Sequence, residues 1–208
     1  DRNGQKSFKK KDLIKSIEKT LSMINNLNIL FLHNPREEIK DWDSIFKLFD
    51  ELKKNNHIKY SGISLAKNFN YDIKILNNFD YVQDEFNLLN INSLNLLKKL
   101  KSKFISRSPL ATGLLSNNFS IKRRYSKSDY RYNWLYGERL RIINMQINEI
   151  KKITGNDIET FSKYFLFKEK KVHQTIFGVK TIDHIKSLNL FSKKKINNLN
   201  LNKKIQLF

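Results

Sequence analysis

The chain has 208 residues, of which 39% are apolar, which is enough for a single domain, residues 1–208, with a buried core. It has no cysteine, so disulfides, thiol catalysis and cysteine-bound metals are excluded, and we expect no metal site. We also expect no membrane span and a cytoplasmic location, because there is no apolar run near about 18 residues and no secretory leader pattern.

The formal net charge of +20 suits a nucleic-acid partner. However, the lysines are scattered over predicted helix ends and loops instead of clustering on one element. The chain is also rich in Asn, Ile and Phe, whose codons, like those of Lys, are A/T-rich, so base composition explains much of the excess. We therefore keep nucleic-acid binding only as an alternative.

Hydrophobic periodicity predicts alternating helices and strands in the first half of the chain. Residues 1–11 form an N-terminal loop. A short apolar run ending at His33 is typical of a strand buried on both faces, and Pro35 stops it. The predicted elements are a helix over 12 to about 26, a strand over 28–33, a helix from 41–44 to 55–56, a strand over 58–64, a short helix over 70–77, a strand over 81–87, a helix around 94–100 and a strand over 104–108.

The second half opens with a long aperiodic segment, residues 111–136, whose part 117–136 we interpret as a flap-like loop. Helical spacing returns over 140–150, with Gly155 as a C-cap. Asn156 and Glu159 resemble a capping box for the next helix. A last strand, a short helix and a tail of alternating basic and apolar pieces follow, at 172–177, 181–188 and 191–208, with Thr181 as the N-cap of the short helix.

About five helix–strand repeats predict an α/β fold with a parallel sheet. Short, regular units favour the (β/α)₈ TIM-barrel type, here an incomplete barrel of about five βα units, because a complete one needs about 250 residues. Polar residues follow the carboxyl ends of the predicted strands, which share one rim in such a barrel. They are His33, Ser64, Gln83 with Asn87, Arg107 with Ser108, and Gly178 with Lys180.

In this order, the strand-end segments resemble the aldo-keto reductases from about residue 12 to about residue 189. The matching segments are Leu32-His33-Asn34-Pro35, Ile58-Lys59-Tyr60-Ser61-Gly62-Ile63-Ser64, Val82-Gln83-Asp84-Glu85-Phe86-Asn87, Ser108-Pro109-Leu110-Ala111-Thr112-Gly113-Leu114-Leu115 and Ile176-Phe177-Gly178. The resemblance implies a (β/α)₈ barrel that reduces a small carbonyl substrate with NADPH, or less often NADH.

The resemblance also implies roles for the strand-end residues. His33 matches the histidine that hydrogen-bonds the substrate carbonyl, where a donor stabilises developing negative charge. Ser64 and Gln83 match the residues that hold the nicotinamide carboxamide, and Arg107 matches the position that stacks on the nicotinamide ring. The match implies that small residues in the next loop wrap the pyrophosphate, namely Ser108, Leu110 and Gly113. It implies that the last loop meets the adenosine 2′-phosphate through Gly178 and Lys180.

The chain departs from the family pattern at several points. Leu65 stands where the family has Asn, and Ser187-Leu188 stands where a Glu-Asn pair contacts adenine. The catalytic Asp, Tyr and Lys of the family match no residue of this sequence, since they lie upstream. We therefore expect a carboxyl-terminal part of the barrel that lacks the first strands and has little activity alone.

The aromatic residues of the flap-like loop leave two interpretations open. Trp134, with Tyr130 and Tyr132, is a candidate to line the substrate pocket, or the three side chains pack under the loop. For the chain as a whole, the alternatives are a non-catalytic barrel remnant that binds a nucleotide or a partner, and a basic nucleic-acid-binding protein. The sequence does not predict the oligomeric state.

Overall fold

A computed structural model describes residues 7–24, 27–35, 39–67, 70–155 and 157–193. Within this part of the chain, helices and strands alternate as the sequence predicted. The helices are α1 (Lys10–Leu21), α2 (Trp42–Lys54), α3 (Ile73–Leu76), α4 (Ser93–Lys99), α5 (Gly137–Thr154), α6 (Ile158–Lys168) and α7 (Ile182–Lys193). The strands are β1 (Leu27–His33), β2 (Ile58–Ser64), β3 (Tyr81–Glu85), β4 (Lys103–Arg107) and β5 (Val172–Ile176).

The five strands form one parallel sheet in the order β1-β2-β3-β4-β5. Chain order and spatial order coincide, as short helical crossovers between neighbouring parallel strands require. Leu27 pairs with Ile58 at the start of β1, and the register continues without a break to the end of the strand. No helix among the described residues is both long and apolar enough to cross a bilayer.

The chain divides into two compact units, Asp1–Asp84 with Leu94–Ile105 and Glu85–Ser93 with Ser106–Phe208. In the first unit, Asp41 caps α2, because its carboxylate accepts a hydrogen bond from the backbone N–H of Ser44 at 3.0 Å. The apolar face of α2 is buried and supplies much of the core of this unit. Its buried residues are Ile45, Leu48, Phe49 and Leu52.

β1 and β2 approach closely at Gly62, which pairs with Phe31. A Cβ atom at position 62 would lie 2.5 Å from Cε1 and 2.6 Å from Cδ1 of the Phe31 ring. Real Cβ contacts essentially never come that close, so a side chain at this position displaces the ring. Glycine therefore lets the Phe31 ring cover the backbone of β2.

In the second unit, α5 and α6 pack together through buried apolar residues. Phe86 is fully buried, and its ring centroid lies 5.3 Å from that of Phe165 on α6. α5 ends at Thr154, and Gly155 follows as its C-cap with a φ of 76°, which confirms the predicted glycine cap. Thr181 is confirmed as the cap of α7, since its Oγ1 accepts from the backbone N–H of His184 at 3.4 Å.

Several predicted boundaries are wrong. α1 ends at Leu21, so Ile24 lies outside the helix and is 47% exposed. The N-cap of α6 is Asp157, whose carboxylate accepts from the backbone N–H of Thr160 at 3.2 Å. The predicted capping residue, Asn156, lies outside the described residues, as does the tail from residue 194 onward.

β3 stops at Glu85, two residues before the predicted end, because Asn87 leaves the ladder for an antiparallel bridge with Asn90. The long aperiodic segment contains two short 3₁₀ turns, Ala111–Gly113 and Tyr130–Asn133. α7 continues to Lys193, five residues beyond the predicted end at Leu188.

Candidate functional site

Three of the predicted site residues form one row across the carboxyl ends of neighbouring strands. His33 at the end of β1 pairs with Ser64 at the end of β2, and Ser64 pairs with Gln83 in β3. Adjacent strands lie about 4.8 Å apart, so the row spans about 10 Å between its outer Cα atoms. His33 is exposed, Gln83 is half-buried and Ser64 is only 1% exposed. The His33–Ser64–Gln83 row belongs entirely to the first unit.

The two inner members of the row are joined by a hydrogen bond. The hydroxyl of Ser64 donates to Oε1 of Gln83 at 3.0 Å, and the backbone N–H of Leu65 donates to the Gln83 carbonyl at 2.8 Å. The first bond fixes the orientation of the Gln83 amide, so that its NH₂ group remains a hydrogen-bond donor. The row thus combines a buried hydroxyl, an oriented amide and an exposed imidazole, which suits a polar planar ligand.

Asn34, which directly follows His33, was not selected from the sequence. Its backbone is left-handed, with a φ of 50°, and its N–H donates to the Ser64 carbonyl at 2.8 Å. Its side-chain Oδ1 is buried and has no hydrogen-bond partner among the described residues. The signal in the sequence was an asparagine between a strand and a proline, since asparagine tolerates the left-handed region.

A tyrosine hydroxyl links the loops that follow β1 and β2. The hydroxyl of Tyr71 donates to the carbonyl of Pro35 and accepts from the backbone N–H of Ala66 at 2.9 Å. Pro35 lies two residues after His33, and Ala66 lies two residues after Ser64. Tyr71 therefore holds the two strand ends of the row in register on the loop side.

Ser61 and Asp80 support the same strands within the sheet. The carboxylate of Asp80 accepts from the backbone N–H of Ser61 at 2.8 Å and from its hydroxyl at 2.9 Å. Partial burial raises the pKa of Asp80, but these two bonds and the Lys53 ammonium outweigh it, so the pKa lies below its usual range.

In the second unit, the segment after β4 forms a left-handed turn. Ser108, Ala111, Thr112 and Gly113 have φ values of 55°, 45°, 58° and 92°. The carbonyl of Leu110 accepts from the N–H of Gly113 at 2.8 Å and so closes the turn. The N–H of Ala111 donates to the Ser108 carbonyl at 2.8 Å, so the N–H groups of Ala111 and Gly113 are both used within the turn. Three of the predicted phosphate residues lie in this turn, namely Ser108, Leu110 and Gly113.

Arg131 fastens the flap-like loop to this turn, and sequence reasoning missed it. Its Nη1 donates to the carbonyl of Thr112 at 3.0 Å, and its Nη2 donates to Asp129 at 2.6 Å. Hydrogen bonds from the Arg131 side chain and backbone lower the pKa of Asp129 well below its usual range, and the charge of Lys180 adds to this effect. The carboxylate of Asp129 thus lies within electrostatic reach of two cations.

The remaining predicted residues of the second unit lie on or near loops. Arg107 is half-buried at the end of β4. Gly178 and Lys180 are exposed in the loop after β5, where the backbone N–H of Lys180 donates to Nδ1 of His184 at 3.2 Å. Lys180 is thus exposed, and its charge acts on the carboxylate of Asp129.

Trp134 is half-buried in the flap-like loop. Its ring lies 5.8 Å from that of Tyr130, and the guanidinium of Arg139 lies 5.1 Å from its centroid. Its Nε1 is buried and lacks a partner among the residues described. The half-buried ring agrees with packing under the loop, while a role in the substrate pocket stays a prediction.

A cleft of about 400 Å³ lies in the first unit between the starts of α1 and α2. Lys9, Lys10 and Asp41 contribute its charged groups, together with Lys40. None of the predicted site residues lines this cleft, so it is separate from the His33–Ser64–Gln83 row.

A model described as the aldo/keto reductase family matches residues 1–201. No curated protein sequence matches the chain.

Solved structures share the fold. The chain is similar to a glycerol dehydrogenase from Gluconobacter oxydans, at 15% identity and a TM-score of 0.66, covering 94% of this chain and 68% of that one. It is similar to an aldo-keto reductase from Bacillus halodurans, at 17% identity, over 95% of this chain. The TM-scores are 0.67 for the apo form and 0.68 for the holo form, of which the chain covers 68% and 67%. At these identities the likeness establishes the fold, and the predicted (β/α)₈-type class is confirmed.

Proposed function

Because the chain belongs to the aldo/keto reductase family, we propose that it binds a nicotinamide dinucleotide, NADPH or alternatively NADH, and takes part in reducing a small aldehyde or ketone. The observation that carries this proposal is the His33–Ser64–Gln83 row, in which the register aligns three predicted ligand residues at neighbouring strand ends. Parallel α/β folds place their chemistry at this rim.

The row fits the carboxamide end of such a nucleotide. An amide group offers both donors and an acceptor, and it is bound best by side chains with complementary capacity. Ser64 holds the Gln83 amide in one orientation through the 3.0 Å hydrogen bond, so Gln83 is preorganised for a planar partner. When bound there, a reduced nicotinamide would supply the hydride that turns a carbonyl into an alcohol.

The second unit, taken by itself, has residues that fit a phosphate group. Because the N–H groups of Ala111 and Gly113 donate within the turn, the backbone N–H of Thr112 is the candidate donor for an anion there. Gly113 lacks a side chain that would obstruct an approaching anion. Arg107 is proposed to stack on a planar ring, which its half-buried position permits. The exposed Lys180 is the candidate that would favour a 2′-phosphate and hence NADPH.

His33 is proposed to orient the substrate carbonyl. A hydrogen-bond donor aimed at that oxygen stabilises the negative charge that develops on it during reduction. We assign no tyrosine or lysine of the described residues as the proton donor and its partner. The proposal for this chain is therefore nucleotide binding and carbonyl orientation, with slow turnover in the absence of a positioned general acid.

Titration of the protein with NADPH, followed by nucleotide fluorescence, tests the proposal. We expect saturable binding that Ser64→Ala and Gln83→Ala each weaken by about tenfold, the effect of one hydrogen bond. Ser102→Ala is the matched control, because its hydroxyl donates to the Leu76 carbonyl away from the row. If the wild type does not bind NADPH, or if both row variants bind it as tightly as the wild type, the row is not the nucleotide site.

An assay of NADPH consumption distinguishes the proposed function from the alternative, a binding module without catalysis. Consumption of NADPH with a panel of small aldehydes, monitored by absorbance, is expected to be slow but abolished by His33→Ala. Nucleotide binding with no consumption above background would favour the module.

A further inference from the structure

The proposed function leaves one feature without a role, the Oδ1 of Asn34, which is buried and has no hydrogen-bond partner among the described residues. Polar atoms removed from water are nearly always hydrogen-bonded, and one without a partner invites an explanation. No donor among the described residues reaches this oxygen. Because Asn34 directly follows His33 and its N–H bonds the Ser64 carbonyl, the unsatisfied acceptor belongs to the same strand end as the row.

The side chains of Ser64 and Gln83 offer a hydrogen-bond donor to a ligand amide, and the NH₂ group of that amide also needs an acceptor. The Ser64 hydroxyl is used by Gln83 Oε1, which leaves the Gln83 NH₂ group as a donor. Leu65, the residue after Ser64, is buried and has no polar side-chain atom. A primary carboxamide needs a donor for its oxygen and an acceptor for its NH₂ group. The row has the donor, and Asn34 Oδ1, one residue beyond His33, is an acceptor without a partner among the described residues.

We propose that Asn34 is a specificity-determining residue of the nucleotide site. Its Oδ1 accepts a hydrogen bond from the NH₂ group of the nicotinamide carboxamide, while the Gln83 NH₂ group donates to the carboxamide oxygen. Asn34 thereby selects ligands that carry a primary amide at this point, and the selection rests on the proposed function. The left-handed backbone at position 34, with its bond to Ser64, holds the residue in place.

Three probes isolate the contact. They are NADPH, its 3-acetylpyridine analogue, in which a methyl group replaces the NH₂ group, and 2′-phospho-ADP-ribose, which has no nicotinamide ring. Asn34→Gly removes the side chain and keeps a residue that adopts a φ of 50° without strain. Asn34→Asp keeps an acceptor oxygen and also tolerates this backbone. Asn28→Ala, at an exposed position of β1, is the matched control.

The wild type is expected to bind NADPH about tenfold more tightly than the acetylpyridine analogue, the effect of one hydrogen bond. Asn34→Gly should remove this preference by weakening NADPH alone, while Asn34→Asp and Asn28→Ala keep the preference within about twofold. Binding of 2′-phospho-ADP-ribose should be the same in all four proteins.

Two results overturn the inference while the proposed function stands. One is a wild type that binds NADPH and the analogue equally, and the other is an Asn34→Gly protein that binds all three probes more weakly by the same factor. Failure of the wild type to bind any of the three probes overturns the proposed function itself.

Discussion

Replacing Gly62 by alanine tests how closely β1 and β2 pack at the Phe31 ring. The new Cβ would lie 2.5 Å from the Phe31 ring, about 1 Å inside the ordinary contact distance. The ring must move, and overpacking of this kind costs about 1–3 kcal/mol. Alanine in place of glycine recovers about 0.5–1 kcal/mol of backbone entropy. We therefore expect the free energy of unfolding to fall by about 1–2 kcal/mol.

Urea denaturation followed by circular dichroism measures this loss, which corresponds to a drop of roughly 2–8 °C in Tm for a chain of this size. Gly178→Ala is the control, because nothing lies within 4 Å of the added Cβ, and we expect a change within about 0.5 kcal/mol. Combining Gly62→Ala with Phe31→Leu should recover about 1 kcal/mol as a coupling energy. A Gly62→Ala protein as stable as the wild type, or strictly additive double-mutant energies, would refute the reasoning.

Three further predictions follow from the site. Tyr71→Phe removes the hydroxyl that accepts from Ala66, so stability should fall by about 1 kcal/mol in urea titrations, and an unchanged midpoint would contradict this. The folded-state pKa of Asp80 is lowered although burial opposes this, because Ser61 donates two hydrogen bonds. Its stabilisation is therefore complete above the unfolded pKa of about 3.9 and is lost as the pH falls through the folded value. In acid titrations the Ser61→Ala protein should therefore lose less stability than the wild type as the pH falls. Identical stability–pH profiles for the two proteins would contradict this. Gly113→Ala forces a side chain into a φ of 92° and should cost about 1–2 kcal/mol and weaken NADPH binding, whereas retention of both would argue against the left-handed turn as the phosphate site.

The local pattern of apolar and polar residues was sufficient to predict most of the helices and strands. The apolar run ending at His33 and the strand ending at Ser64 lie where periodicity placed them, because short β-rich runs between polar breaks have few other stable conformations. Glycine and threonine caps were predicted for the same reason, since a cap depends on neighbours within four residues. Helix ends were less predictable: the apolar Ile24 continues the helical spacing, yet the chain turns away after Leu21.

The sequence by itself thus determined the alternation of helices and strands, the strand ends at His33 and Ser64, and the family to which the strand-end residues point. Only the tertiary structure decided how these ends meet. The structure pairs His33 with Ser64, leaves the Asn34 oxygen buried without a partner among the described residues, and brings Arg131 onto the turn 19 residues earlier. Such contacts join residues far apart in the chain, so local propensity carries no information about them. They depend on strand register and loop closure, which are settled only when the whole sheet has formed.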